Sequence, residues 1–360
     1  MYYLIGGAGV PNFGDELIVR QWTDFLHGKT AEQLVVSGMR KKILVDIFQE
    51  KYPDIHYSSA LYEYQSKLDA GFWGSLRAGM DFFHNNIEIN KEEREKLLAA
   101  KVFHLHGGGY INKIWPNNAF YIGLASALKE KTGCRVIGTG LGLMPSPKLD
   151  KEVPSFYKEA LTAFDAIEVR DYPSFEYITK ASDGEANIIL GLDDIFLLPP
   201  LLNPGPKTIH IIIHSQSWAD EAVSNLDLDY VNSFDRKLFW ICHYKDIDRY
   251  NELKFKISDL RCIEVSDLTH SALPLGADDF MITSRFHPHM QASRSGLSGQ
   301  YIAPFGYSTT KHFSVLALGS KFTPLPVHSE KKSYSMYYRD HGRVLQKQEF
   351  WWTEIGQYLS

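Results

Sequence analysis

The chain has 360 residues, with 38 Lys and Arg against 43 Asp and Glu, a formal net charge of −5, 44% hydrophobic and 22% charged residues. These are globular values that exclude a largely disordered chain, and the length suits two domains or one large one. A net acidic balance argues against a general nucleic-acid binder, which needs clustered Lys and Arg. The three cysteines (Cys134, Cys242, Cys262) are scattered and form neither a disulfide framework nor a zinc spacing, so a reducing cytoplasm is the expected compartment.

The N-terminal residues Met1–Gly7 lack the basic and long apolar regions of a signal peptide. No apolar run approaches the ~20 residues of a membrane-spanning helix. From Tyr2 onward, β-rich runs alternate with amphipathic segments. Strands are predicted at Tyr2–Ile5, Gln33–Ser37, Val102–His106, Arg135–Thr139, Ala166–Val169 and Asn187–Gly191. Helices are predicted at Asp15–Leu26, Ile43–Lys51, Asn118–Lys131 and Ser155–Ala163, and residues 60–100 read as helical and irregular. Leu197–Lys207 holds Pro199, Pro200, Pro204, Gly205 and Pro206, the clearest linker in the chain.

The alternation then restarts. Strands are predicted at Thr208–Ile213, Leu238–His243, Arg261–Val265, Asp279–Thr283 and Gln300–Ala303, with helices at Ala219–Asn232, Ile247–Phe255, His287–Ser295 and Thr310–Leu318. Gln346–Leu359 reads as an amphipathic closing helix. Strand–helix alternation with short links predicts parallel sheets covered on both faces. The expected architecture is α/β, with two Rossmann-like domains facing a cleft. Residues 1–198 form the first domain (acceptor side), 199–342 the second (donor or anion side), and 343–360 a helix packing back on the first. Ligands in such sheets bind at the carboxyl ends of the strands.

Several strand ends carry candidate chemistry. Gly6–Glu16 opens a helix after a strand but has no P-loop Lys-Ser/Thr, which disfavours a nucleoside triphosphatase. Asp15 either caps that helix, or Asp15 or Glu16 faces a substrate hydroxyl. His104-Leu105-His106 leads into Gly107-Gly108-Gly109, whose amides could meet an anion or a sugar hydroxyl, with Asn112 just beyond. Gly140 lies in a further glycine-rich turn, Thr139–Pro145. Arg170 ends a strand and either pairs with an acid or waits for an anionic ligand. The acid pairs Asp193-Asp194 and Asp278-Asp279 read as turn or cap residues rather than metal ligands.

The strongest segment is Thr283-Ser284-Arg285-Phe286-His287-Pro288-His289. A fixed cation and a titratable imidazole sit two residues apart where a strand enters a helix. Residues 280–329 hold no Asp or Glu, where the chain-wide frequency would place about six, yet carry Arg285, Arg294, Lys311, Lys321 and four His. Lys311 and His312 follow the next strand and would lie beside the Arg285 loop if the strands are neighbours.

At these residues the chain resembles the polysaccharide pyruvyl transferase family. The resemblance rests on Asn12-Phe13-Gly14-Asp15-Glu16, the Gly107–Gly109 turn, Gly140-Leu141-Gly142, Val169-Arg170-Asp171 with Ser174, and Ser284-Arg285-x-His287, in order over about residues 4–315. It implies a glycosyltransferase-B-like fold and transfer of the pyruvyl group of phosphoenolpyruvate to a sugar, giving a pyruvate ketal and phosphate. Carried over, the donor-binding residues are Arg170, Arg285 and His287. The expected scheme adds Lys311, His289 and His312 around the donor, His287 or His289 as proton donor, and Asp15 or Glu16 as base. Asn12, Gly107, Gly108, Gly109, Asn112 and Gly140 form the acceptor or backbone loops. No metal or cofactor is called for. The expected partners are phosphoenolpyruvate and a saccharide or lipid-linked glycan, reached in the cytoplasm or at the inner face of the membrane, with peripheral membrane contact but no nucleic acid. The alternatives are a glycosyltransferase of the same architecture using a nucleotide sugar, and a non-catalytic glycan binder.

Overall fold

The structure, a computed structural model, describes residues 1–84, 89–149, 154–303, 306–327 and 329–358. The chain divides into two compact units. The first comprises Met1–Val10, Ile18–Leu197 and Lys347–Ser360, and the second Pro11–Leu17 and Leu198–Gln346.

The first unit is built on a parallel sheet that, among the described residues, has seven strands: β1 (Tyr2–Ile5), β2 (Leu34–Ser37), β3 (His56–Ser58), β4 (Val102–Leu105), β5 (Arg135–Leu141), β6 (Ala166–Val169) and β7 (Ile188–Leu190). Their order is β3-β2-β1-β4-β5-β6-β7, so the winding reverses between β1 and β4. The register pairs Tyr2 with Leu34 on one side and with Val102 on the other. β1, β2 and β4 are buried throughout, as expected for strands covered on both faces. The core includes Tyr3, Phe103, Leu105, Phe120, Leu124, Val136 and Tyr157.

The second unit carries a parallel sheet with, among the described residues, six strands: β8 (Thr208–Ile212), β9 (Arg236–Trp240), β10 (Leu260–Ile263), β11 (Phe280–Thr283), β12 (Ser298–Tyr301) and β13 (Thr323–Pro324). Their order is β10-β9-β8-β11-β12-β13, with the reversal between β8 and β11. Ile209, Ile211, Phe239, Phe280 and Ile282 form its core. Each sheet thus has a topological switch point between two central strands, and folds of this kind take ligands at the carboxyl ends of such strands.

Two short strands, His56–Ser58 and Thr323–Pro324, lie at or beside sheet edges where the sequence carries no apolar run to announce them. The closing helix spans Tyr334–Ile355, beginning twelve residues before the expected Gln346, and Leu359 lies outside the described residues. Its Lys347–Ile355 part belongs to the first unit, where Trp351 packs edge-on to Trp22 with ring centroids 6.4 Å apart. No helix among the described residues is long and apolar enough to cross a membrane.

Candidate active site

In the second unit three adjacent strands, β9, β8 and β11, deliver charged or titratable side chains at their carboxyl ends. β11 runs into Ser284 and Arg285, and Arg285, with extended backbone (φ −106°, ψ 138°), precedes the helix Phe286–Arg294. The Arg285 amide donates to Thr283 Oγ1 at 2.9 Å, and His312 hydrogen-bonds the backbone of Ser284. Arg285 Nη2 donates to Oδ1 of Asp246, the first residue of the helix after β9, while its buried Nε finds no hydrogen-bond partner among the described residues. Burial pushes the Asp246 carboxyl up, against the pull of Arg285. Half-buried His287 stands on the first turn of the helix.

The segment Pro11–Leu17 docks here. Asn12 forms an antiparallel bridge with His243, the Phe13 amide donates to the Cys242 carbonyl at 2.9 Å, and the Phe13 ring meets Trp240 edge-on at 5.8 Å. Asn12 Nδ2 donates to Asp15 Oδ2 at 2.6 Å, and Glu16 is buried. Gly14 lies directly against His287: a Cβ on it would stand 1.7 Å from Nδ1. Residues 12–16 and 284–287, more than 260 positions apart in the chain, therefore share one site.

The polysaccharide pyruvyl transferase family model matches residues 12–296, a span that takes in both segments. The chain belongs to the polysaccharide pyruvyl transferase family. No curated protein matches it in sequence. Among solved structures, this pyruvyl transferase family member resembles UDP-GlcNAc 2-epimerase from Neisseria meningitidis bound to UDP-GlcNAc, at 10% identity, 98% coverage of this chain, 93% of that chain and a TM-score of 0.51. It also resembles another UDP-N-acetylglucosamine 2-epimerase at 13% identity, 99% and 90% coverage and a TM-score of 0.51. The likeness is one of fold: two parallel-sheet α/β domains of the glycosyltransferase-B class.

Not every residue singled out in this family member joins the His287 site. His289 and His312 are fully buried and share a hydrogen bond between their Nδ1 atoms at 2.9 Å, and His289 Nε2 contacts Ser320 Oγ at 2.9 Å. Two residues further along a helix turns the side chain about 200° away, so His289 faces inward where His287 does not. Burial, reinforced by His312, holds His289 well below the usual histidine range, and burial holds His312 at about 4. The pair buttresses the Arg285 loop through Ser284. Lys311 donates to the Tyr307 hydroxyl at 2.6 Å.

Arg170, Gly107–Gly109, Asn112 and Gly140 lie in the first unit. Arg170 forms a buried ion pair with Asp193 at 2.6 Å. The Gly107 amide donates to Asp194 Oδ2 at 2.7 Å, Gly108 bridges to Leu141, and Asn112 Nδ2 donates to the Gly109 carbonyl at 2.8 Å while its Oδ1 receives the Ile114 amide at 2.8 Å. The sequence offered these groups to a ligand; in the structure the Gly107 amide serves buried Asp194, Arg170 serves Asp193 and Asn112 ties its own loop, as buried polar groups require partners. Trp22 Nε1 and Thr139 Oγ1 also donate to it, at 2.8 and 2.6 Å, and Lys347 approaches within 3.0 Å. Gly140, at φ +52°, is a glycine because a Cβ would press on Asp194 at 2.7 Å. Asp193 caps a short turn as expected, whereas Asp194 anchors a buried network.

Sequence reasoning passed over His214, His243 and Asp246. His214 and His243 follow β8 and β9 closely, and the strand-end rule that singled out Arg285 would have found them; Asp246 instead opens the helix Asp246–Leu253. Among the described residues no group of three His, Cys, Asp or Glu is placed to hold a metal.

Proposed function

We propose that this protein transfers the pyruvyl group of phosphoenolpyruvate to a sugar diol, with the donor bound at the Arg285–His287 loop. The observation that carries the proposal is the seating of His287 on Gly14. It sets the half-buried imidazole beside the turn that carries the Asp15 carboxylate, next to a guanidinium with an unpartnered N–H.

The chemistry follows from those groups. Phosphoenolpyruvate presents a carboxylate and a phosphate, which need a fixed cation and N–H donors. His287 gives a proton to the methylene carbon, and the adjacent carbon gains oxocarbenium character. One sugar hydroxyl oxygen bonds to that carbon and its proton passes to Asp15. The carbon–phosphate oxygen bond breaks and phosphate leaves. The second hydroxyl closes the ketal. Of the two hydroxyl protons, one replaces the proton now in the methyl group and the other leaves on phosphate. Arg285 holds the departing charge throughout. The acceptor is a polysaccharide unit or glycan precursor, and work at the inner face of a membrane is compatible with this scheme. The protein is cytoplasmic in this reading and uses no cofactor.

Calorimetric titration tests the donor. Phosphoenolpyruvate should bind, and UDP- and GDP-sugars should bind at least tenfold more weakly. Tight binding of a nucleotide sugar with none of phosphoenolpyruvate would replace this reading by glycosyl transfer.

A further inference from the structure

Two histidines outside every motif used above stand beside Arg285. His214 follows β8 and His243 follows β9, and both rings are half-buried. In each, Nδ1 accepts the backbone N–H two residues on: Gln216 to His214 and Lys245 to His243, both at 3.3 Å. A ring nitrogen that accepts carries no proton, so each imidazole is neutral with its hydrogen on Nε2. The surroundings act in the same sense. Burial first, then Arg285, His243, Lys245 and Arg249, hold His214 down at about 3; burial, Arg285 and Lys245 hold His243 at about 4.

Both backbones are tied to the Arg285 loop. The His214 amide donates to Ser284 Oγ at 2.9 Å, and the His243 amide to Asp246 Oδ2 at 3.0 Å, the carboxylate that pairs with Arg285. Asp246 offsets the Arg285 charge, so a multiply charged anion needs further donors here. A neutral imidazole supplies one without adding a charge that a neighbouring cation would oppose.

We propose that His214 and His243 are ligand-binding residues whose Nε2–H groups donate hydrogen bonds to the anionic oxygens of the donor, completing an oxyanion pocket with Arg285. This rests on the donor reading above for the identity of the anion, and on the strand-end geometry for the pocket itself.

Binding of phosphoenolpyruvate and of inorganic phosphate, each measured from pH 5.5 to 8.0, tests it. His214→Ala and His243→Ala should each weaken both ligands about tenfold or more, while His214→Gln and His243→Gln, which keep an N–H donor, return to within about threefold of wild type. The loss should be the same at both ends of the pH range. Unchanged affinity in the alanine variants, or a loss that fades as pH rises through the ordinary histidine range, overturns the proposal. Wild type that binds phosphate but not phosphoenolpyruvate, with weakened alanine variants, keeps the pocket and refutes the donor; binding of neither anion refutes both. Should an alanine variant not fold, nitrogen NMR of the wild-type imidazoles decides the matter. Both should stay in the Nε2–H form down to pH 5.5 and shift on adding phosphate, and a ring that protonates near 6.5 or stays unshifted counts against the pocket.

Discussion

The Nδ1 atom of His287 sits where a side chain on Gly14 would begin, 1.7 Å from the position of that Cβ. The glycine of the Asn-Phe-Gly-Asp-Glu segment is therefore a packing requirement of the histidine. Its neighbour Phe13 fixes the segment by burial against Trp240.

Gly14→Ala should accordingly displace either His287 or the start of the helix. Overpacking of this kind costs about 1–3 kcal/mol. We predict a modest fall in melting temperature together with a loss of phosphate release of tenfold or more, read by steady-state assay and thermal melting. Full activity in Gly14→Ala would separate the two motifs functionally.

Arg170 and Asp193 form an ion pair with side-chain exposures of 3% and 0%. Removing one member leaves the other charged and buried, at a cost of about 3–5 kcal/mol. Arg170→Ala should therefore lower the melting temperature sharply, and Arg170→Met with Asp193→Leu should recover much of the loss. An Arg170→Ala protein that melts like wild type but cannot bind donor would make Arg170 a ligand contact instead.

Lys347 lies between Glu168, at 2.5 Å, and Asp194, at 3.0 Å, all within the first unit. Burial alone would raise the Asp194 carboxyl, yet Lys347, His104, Thr139 and Trp22 bring it below its ordinary value. Lys347→Met leaves two buried carboxylates without the cation they share. It should lower stability by about 3–5 kcal/mol in urea denaturation at pH 7. A stability change under 1 kcal/mol would refute the network as an anchor.

Acid should destabilise the fold well above the carboxylate range. Burial holds His104 down at about 3 and His312 at about 4, and also lowers His210 and His289. In the unfolded chain these rings protonate near 6.5. Below that pH the unfolded state binds protons that the fold refuses, so stability is full above about 6.5 and falls as pH drops toward 4. Urea midpoints should decline from pH 7.5 to 5.0, and His104→Gln should flatten the decline. A midpoint independent of pH over that range would show the rings are accessible.

Much of this was legible in the sequence because parallel strands buried on both faces leave largely apolar runs, as in Tyr2–Ile5. Their carboxyl ends then mark where Arg285 and His287 must stand. Most of the family motifs were readable for the same reason, being strand ends, whereas Asn12–Glu16 opens a helix. What local pattern cannot carry is which strand end a distant segment joins. The Gly6–Glu16 turn reads as part of the first domain, yet Pro11–Leu17 packs with the second because Phe13 finds Trp240 and Gly14 admits His287. Nor does spacing reveal that the amide of Gly107 serves a carboxylate 87 residues away, or that His289 turns inward to His312.

The most direct measurement is the reaction run in deuterium oxide with purified protein, phosphoenolpyruvate and a panel of glycosides, followed by NMR. The account predicts phosphate release matched by a pyruvate ketal whose methyl group carries one solvent deuterium. It predicts losses of about a hundredfold or more for His287→Ala and for Arg285→Ala. No ketal with any glycoside, or full activity in Arg285→Ala, would contradict it.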